Sequence, residues 1–278
     1  MPDINLYIPD GLATEAAIQR TTHLGIGAHQ DDLEFMALHG ILQGYQKQDV
    51  WFGGITCTDG AGSSRTGPYV DYSDEQMKAV RIEEQKTAAN IGQYSFMAQL
   101  GHPSSHAKDP GKRDALRDDI RALLTQARPD VIYTHNPFDK HATHVGVLLA
   151  VLGAIRSLPE SDRPRVIFGC EVWRGLDWLP DASKVLHNVS AHPNLAAALN
   201  GVFDSQITGG KRYDLAVEGR RLSNATFLDA HAIDQGDRIA YAIDLSELAD
   251  PSASIESFTE RHLSELKNEI TTQLKALQ

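Results

Sequence analysis

Two short stretches of this chain hold side chains able to bind a metal ion and move a proton. His29-Gln30-Asp31-Asp32 packs an imidazole and two carboxylates into four residues, and His141-Ala142-Thr143-His144 sets two imidazoles three residues apart. Together they offer three ligands for one ion, with a carboxylate and an imidazole to spare. Those are the parts of a single-metal hydrolase, in which three protein ligands leave a position open for water. Spacing alone leaves open whether His141 and His144 both bind metal or one binds and the other does chemistry. Each stretch also has a plainer reading. Asp31 and Asp32 at a helix start would suit the helix dipole and cap the first turn, and a lone pair of histidines at this spacing is more often surface than site.

The elements around both stretches favour a site. His23-Leu24-Gly25-Ile26-Gly27-Ala28 reads as a short buried strand, thinned by glycines where another backbone or a ligand comes close. After Asp32 the period changes: Phe35, Leu38, Leu42 and Tyr45 recur at helical spacing, giving an amphipathic helix to about Gln48. Val131–His135 reads as a strand, Asn136-Pro137-Phe138-Asp139 as a turn, and about His141 to Ile155 as a buried helix with His141 and His144 on one side of its first turn. Both stretches therefore sit at the carboxyl end of a strand and project from the same edge of a sheet. In open α/β sheets that is where ligands collect.

The alternation continues. Strands are expected at Val50–Thr58, Ser95–Leu100 and Val166–Val172, and helices from Asp74 and at about Arg113–Ala127. The helix from Asp74 opens with a capping-box pattern, Ser73 to Gln76, and its buried stripe of Met77, Val80, Ala88 and Ile91 is broken by Glu84. Such alternation predicts an α/β fold, a Rossmann-like parallel sheet with right-handed crossovers and helices on both faces. Beyond residue 172 the pattern is less regular, with strands at Val185–Val189 and Arg238–Ile243 and helices at Pro193–Phe203 and over the last twenty or so residues. No linker, repeat or low-complexity tract divides the chain. Residues 1–278 read as a single domain, with about 21–172 as the α/β core and about 173–278 as a C-terminal elaboration on the substrate side. Trp173, Trp178, the Ser205–Tyr213 stretch, Arg220 and Arg221 are its candidate selectivity residues, against a plainer reading as surface loop and core aromatics.

Composition narrows the classes. A net charge of −11 over 278 residues, with pI near 5.5, disfavours nucleic acid or an anionic membrane as partner. There is no apolar run of about 18 residues, so membrane insertion is not expected. Met1-Pro2-Asp3-Ile4-Asn5 lacks the basic and apolar regions of a signal peptide. Cys57 and Cys170, both within expected strands, read as buried free thiols in a reducing compartment. The expectation is a cytoplasmic protein acting on a soluble small molecule, its assembly as a homo-oligomer left open.

The segment Ala28-His29-Gln30-Asp31-Asp32-Leu33-Glu34 resembles the Ala-His-Pro-Asp-Asp-x-Glu signature of the PIG-L/LmbE-like de-N-acetylases, which remove acetyl groups from N-acetylglucosamine in glycolipids, mycothiol precursors and chitin fragments. The likeness runs from about residue 21 to 160. It takes in the Thr58-x-Gly60-x-Gly62 loop, Arg81-x-x-Glu84-x-x-x-Ala88-x-x-x-Gly92 and His141-x-x-His144. The chain departs from the pattern at Gln30, in place of Pro, and at Thr143, where Asp is common. Asp139 is a candidate substitute for that Asp. Gly101–Ser105 also lacks an acidic residue that the family often uses to hold sugar hydroxyls.

The resemblance implies one Zn²⁺ per chain, other divalent ions being compatible, held by His29, Asp32 and His144. It implies Asp31 as general base, His141 stabilising the oxyanion or protonating the leaving amine, and Arg81 reaching the substrate. The alternative for Arg81 is a surface pair with Glu84. The Thr58–Ser64 loop is either an anion-binding nest or a tight turn that allows close packing. The activity implied is hydrolysis of an N-acetyl group on an N-acetylglucosamine-type sugar or small glycoconjugate. The same metal set would also serve an amidase or esterase acting on a non-sugar molecule. A non-catalytic sugar-binding relative would not need Asp31, His141 and a full ligand set, and a two-metal phosphoesterase would need further ligands.

Overall fold

The computed structural model describes residues 4–278, so Met1-Pro2-Asp3 of the signal-peptide reading lie outside the described residues. An edge strand β1 (Asn5–Tyr7) and helix α1 (Thr14–Gln19) lead into β2 (His23–Gly27), α2 (Asp32–Met36), α3 (Leu38–Gly44) and β3 (Phe52–Thr58). Then follow α4 (Asp74–Ile91), β4 (Met97–His102), α5 (Ser104–Lys108), α6 (Arg113–Ala127), β5 (Val131–His135), α7 (Ala142–Arg156) and β6 (Val166–Cys170). The C-terminal part adds β7 (Val185–Asn188), α8 (Pro193–Gly201), α9 (Asp204–Ile207), α10 (Tyr213–Thr226), β8 (Ile239–Asp244) and α11 (Ile255–Leu277).

The strands form one sheet in the order β1-β4-β3-β2-β5-β6-β8-β7. The α/β class expected from the alternation holds, and β4, β3, β2, β5 and β6 run parallel. The sheet is nonetheless mixed, because β1, β8 and β7 pair antiparallel at its two edges. β1 is only three residues long and β8 is buried on both faces like its parallel neighbours, so periodicity did not mark these edges. From β2 the chain passes to β3 and β4 on one side and later resumes at β5 and β6 on the other. The gap between the ends of β2 and β5 is thus the topological switch point, where doubly wound sheets bind ligands.

Two apolar layers cover the faces of the sheet. Leu24, Ile26, Ile55 and Ile132 pack against Leu116, Ile120 and Leu123 of α6 and Val147, Leu148 and Val151 of α7. On the other face Leu33, Met36, Leu38 and Ile41 pack with Phe52, Tyr94, Met97 and Tyr133. β2 must let α2 close on it, and here a glycine is required: a Cβ on Gly27 would lie 2.9 Å from Cβ of Asp32.

The helix expected from Asp32 to about Gln48 is broken between α2 and α3. The buried Arg221 guanidinium donates to the carbonyls of Glu34 and Phe35 at 2.8 and 3.0 Å. Those two oxygens would otherwise accept from residues 38 and 39 of a continuous helix, and a side chain inserted into that ladder interrupts it. The capping box at Ser73 is present, with Gln76 N–H donating to Ser73 Oγ and Ser73 N–H to Gln76 Oε1. The buried face of α4, however, is Met77, Arg81, Glu84, Gln85, Ala88 and Ala89, more polar than the stripe expected. Cys57 and Cys170 are buried and unpaired. No helix among the described residues is long and apolar enough to cross a membrane.

One cluster away from the switch point makes stability depend on pH. His187 stacks on His39 with ring centroids 4.2 Å apart and lies against Tyr133 and Phe168. It is 3% exposed and neither ring nitrogen has a partner among the described residues. Burial, and then the neighbouring His39, hold its pKa down at about 3 against an ordinary 6.5. The folded ring therefore takes up protons less readily than the unfolded chain. Its contribution is intact above pH 6.5 and is lost as pH falls toward the folded value. His187→Phe should remove this loss, leaving the variant about 2 kcal/mol more stable relative to wild type at about pH 5 than at about pH 7. Urea midpoints at the two pH values check it.

Candidate active site

β2 and β5 pair in register through His23–Gly25 and Val131–Tyr133, so the turns that follow them emerge side by side. They open into a cleft of about 680 Å³ lined by His29, Asp31, Asp32, Arg81, His141 and Trp173, among others. Both sequence clusters thus meet in one place, as expected. His29 Nδ1 is 3.2 Å from His144 Nε2 and 3.3 Å from Asp32 Oδ2, and His144 Nε2 is 3.5 Å from Asp32 Oδ1. The two Asp32 contacts are made by different carboxylate oxygens, so His29 and His144 flank the Asp32 carboxylate on either side. His141 stacks on His144 at 4.5 Å and lies edge-on to His29 at 5.1 Å, and its Nδ1 has no partner among the described residues. The nitrogen and oxygen donors fit a divalent cation. Their geometry groups them as His29, His141 and His144, or as Asp32, His135 and His144, with His144 common to both.

Charges follow from burial and neighbours. Burial works against Asp32, but facing His144 and His135 it is held well below the ordinary carboxylate range. Burial likewise opposes charge on His144, and Asp32 and Asp139 outweigh it to raise the pKa. Asp139 accepts from His144 Nδ1 at 3.2 Å, from the His141 backbone N–H at 2.9 Å and from the Trp173 N–H at 3.2 Å. It therefore fixes the His144 ring with Nε2 toward the cleft, and the nomination of Asp139 as substitute for the Asp missing at Thr143 has a geometric basis at His144.

Asp31 adopts a left-handed backbone, φ 104°, and makes no side-chain cap to α2. The capping alternative for it does not hold. Its N–H donates to Gln85 Oε1 at 3.2 Å, and Gln85 in turn donates to the buried Glu34 at 2.9 Å. A strained backbone at a cleft is held in this way by surrounding bonds. Arg81 is 1% exposed, which excludes a surface pair with Glu84. Its guanidinium donates to Asp31 Oδ2 at 3.1 Å and to the Gln30 carbonyl, with Glu84 Oε2 at 3.6 Å. Burial pushes Asp31 up to about 6 against the pull of Arg81. Glu84 accepts twice from Ser205, at 2.7 Å each, tying α4 to α9.

In the Thr58–Ser64 loop, of which Gly60, Gly62, Ser63 and Ser64 line the cleft, close packing is required at Gly60. Gly60 has φ +71°, and a Cβ there would meet Gln30 Oε1 at 2.7 Å and Arg81 Cγ at 3.1 Å. The N–H groups of Ala61 and Ser63 are spent inside the loop, on Asp59 and Gly60. Of the C-terminal candidates Trp173, Lys211, Tyr213 and Arg220 line the cleft, whereas Arg221 is buried beneath α2 and Trp178 packs on Phe138. His102, His106, His187, His192 and His231 do not line it.

Sequence reasoning missed four contributors. Gln85 holds Asp31. His135 ends β5 under Asp32, with Nε2 3.4 Å from Asp32 and accepting the Ala28 N–H at 2.9 Å. Its place at the carboxyl end of a strand was the available signal. Lys108 and Lys140 also line the cleft.

The mixed α/β sheet with helices flanking it is a fold shared with solved deacetylase structures. Residues 24–155 match the model of the PIG-L family, described as GlcNAc-PI de-N-acetylase, and the chain carries a domain of that family over this stretch. No curated protein sequence matches the chain. Among solved structures it is similar to N,N'-diacetylchitobiose deacetylase from Pyrococcus horikoshii, with 15% identity, TM-score 0.64, 84% of this chain and 88% of that one covered. It is also similar to a conserved protein from Thermus thermophilus, with 20% identity, TM-score 0.61 and coverage of 81% and 94%. A third is GalB, the 4-carboxy-2-hydroxymuconate hydratase from Pseudomonas putida, with 16% identity, TM-score 0.58 and coverage of 84% and 98%. At such identities the likeness concerns the fold, and one fold hosts more than one reaction. The family domain supports a hydrolase of the deacetylase type.

Proposed function

We propose that the protein is a divalent-metal hydrolase, with zinc the expected ion, that removes an acetyl group from an N-acetylglucosamine-type sugar or small glycoconjugate. His29, Asp32 and His144 would hold the ion. The observation that carries the reading is the meeting of His29, Asp32 and His144 in pairwise contacts of 3.2–3.5 Å, made through both Asp32 oxygens, with an independent, strained carboxylate, Asp31, on the same cleft. A bound cation would polarise the acyl carbonyl and acidify a water molecule. Asp31 takes the proton of the attacking water, held in place by Arg81 and Gln85. His141 offers an N–H to the oxygen on which charge develops. Asp139 keeps the His144 lone pair turned toward the site, the usual task of a carboxylate behind a ligating imidazole. His135 acts from beneath Asp32, since its Nε2 already accepts the Ala28 N–H.

The chain works as one domain in this reading: β7 and β8 extend the sheet, and Trp173, Lys211, Tyr213 and Arg220 contribute wall to the cleft. Two buried free thiols support a reducing, cytoplasmic setting. Asp139→Asn, which removes one acceptor from a group serving three donors, should weaken zinc binding by about 10- to 100-fold with the fold retained. Chelator competition measures that loss. The reaction itself is tested with the metal-loaded protein and N-acetylhexosamines in ¹⁸O water. One solvent oxygen in released acetate is expected, and addition of water without acetate release would overturn the reading in favour of hydration.

A further inference from the structure

The cleft has a charge pattern opposite to that of the chain. Lys108 at the end of α5, Lys140 before α7, Lys211 before α10 and Arg220 within α10 all line it. They arrive from separate segments, and none has a carboxylate within 4 Å among the described residues, although the chain has 37 acidic residues against 26 basic ones. The carboxylates lining the cleft are Asp31 and Asp32, both at its buried floor. Lys140 and Lys211 both approach the Trp173 ring, with Nζ at 5.9 and 5.5 Å from its centre. Lys108, Lys140 and Lys211 are exposed. Arg220 is half-buried and donates to the Val172 carbonyl.

We propose that the substrate is an acid: an N-acyl amine that carries a carboxylate or phosphate remote from the acyl group, with its body on Trp173 and its anion between Lys140 and Lys211. The proposal deepens the deacetylase reading and rests on it for the acyl group. Like charges gathered at a rim without counter-ions repel one another, and an anion between them relieves that repulsion. Cations on low-dielectric walls also concentrate anions in a cleft. Asp31 and Asp32 at the floor oppose an anion there, so the field orients the molecule with its amide inward and its acid at the rim.

Binding and turnover are measured separately, so that the two readings fail separately. Calorimetry on the zinc-loaded protein compares products that cannot turn over: glucosamine, its 6-phosphate and muramic acid, the last bearing a carboxylate. Acetate release compares the corresponding N-acetyl compounds. At least one acid should bind more tightly than the neutral amine by about tenfold, with the margin shrinking as salt rises from about 0.05 to about 0.5 M. Whichever acid is preferred identifies carboxylate or phosphate. In the Lys140→Ala/Lys211→Ala variant, checked by its unfolding midpoint, the margin between acid and neutral amine should fall to within about twofold. Equal binding of acids and the neutral amine, or a margin that survives the double variant, would overturn the proposal. An acid preference without acetate release from any compound would uphold the anion site at the rim and sink the deacetylase reading, and with it the acyl group.

Discussion

Asp31→Asn should lower kcat by about 10²- to 10⁴-fold while zinc stoichiometry and fold persist, the size expected when a positioned general base is removed. The residue has the attributes of a base and lacks those of a structural acid. It caps no helix, sits at φ 104° and belongs to neither donor grouping around His144. Burial raises its proton affinity, and Arg81 at 3.1 Å keeps the carboxylate oriented. Asn preserves the shape but has no charge with which to take a proton. Arg81 still has the Gln30 carbonyl and Glu84, so its buried charge stays balanced. Pre-steady-state turnover of the zinc-loaded variant, with metal analysis on the same sample, is the measurement. Full activity would remove Asp31 from the proton path, and loss of zinc would make it a ligand.

The second large effect is on the metal. His144→Ala should weaken zinc binding by more than the about 100-fold that an outer partner can cost, and abolish turnover with it. His144 is the one side chain common to both donor groupings, and its Nε2 faces His29 and Asp32 together. Removing it also leaves Asp139 without the imidazole that lowers its pKa, so both carboxylates lose a neighbour that favours their charge. His135→Ala is the informative contrast. That ring stacks on His144 at 3.9 Å, but its Nε2 is engaged by Ala28, so zinc should remain bound. Titration against a chromophoric chelator reads both variants. Zinc held at wild-type affinity by His144→Ala would place the ion elsewhere.

What could be read in the sequence was local. The strand to Ala28, the turn holding His29–Asp32, the strand to His135 and the helix from His141 are each encoded by contiguous residues, and parallel pairing of their strands was enough to bring the clusters together. What could not be read was set from afar. The break at Ala37 is made by Arg221, 187 residues from Glu34, and the polar face of α4 is neutralised by Asp31 and Ser205, 50 and 121 residues from Arg81 and Glu84. A surface pair was the alternative for Arg81 and Glu84 because their spacing is that of one. Their burial depends on a partner loop whose periodicity says nothing about where it docks. The cationic rim escaped for the same reason, since Lys108, Lys140, Lys211 and Arg220 are unremarkable until the fold places them on one cleft.

The most direct test of the central claim is to strip the protein with chelator, restore zinc in measured increments, and follow acetate release from an N-acetylhexosamine panel that includes the acidic members. Release that is absent in the stripped protein and rises in proportion to bound zinc up to one ion per chain is the expected result. Release that is equal with and without bound metal, or one tight zinc per chain with no acetate from any member, would contradict it.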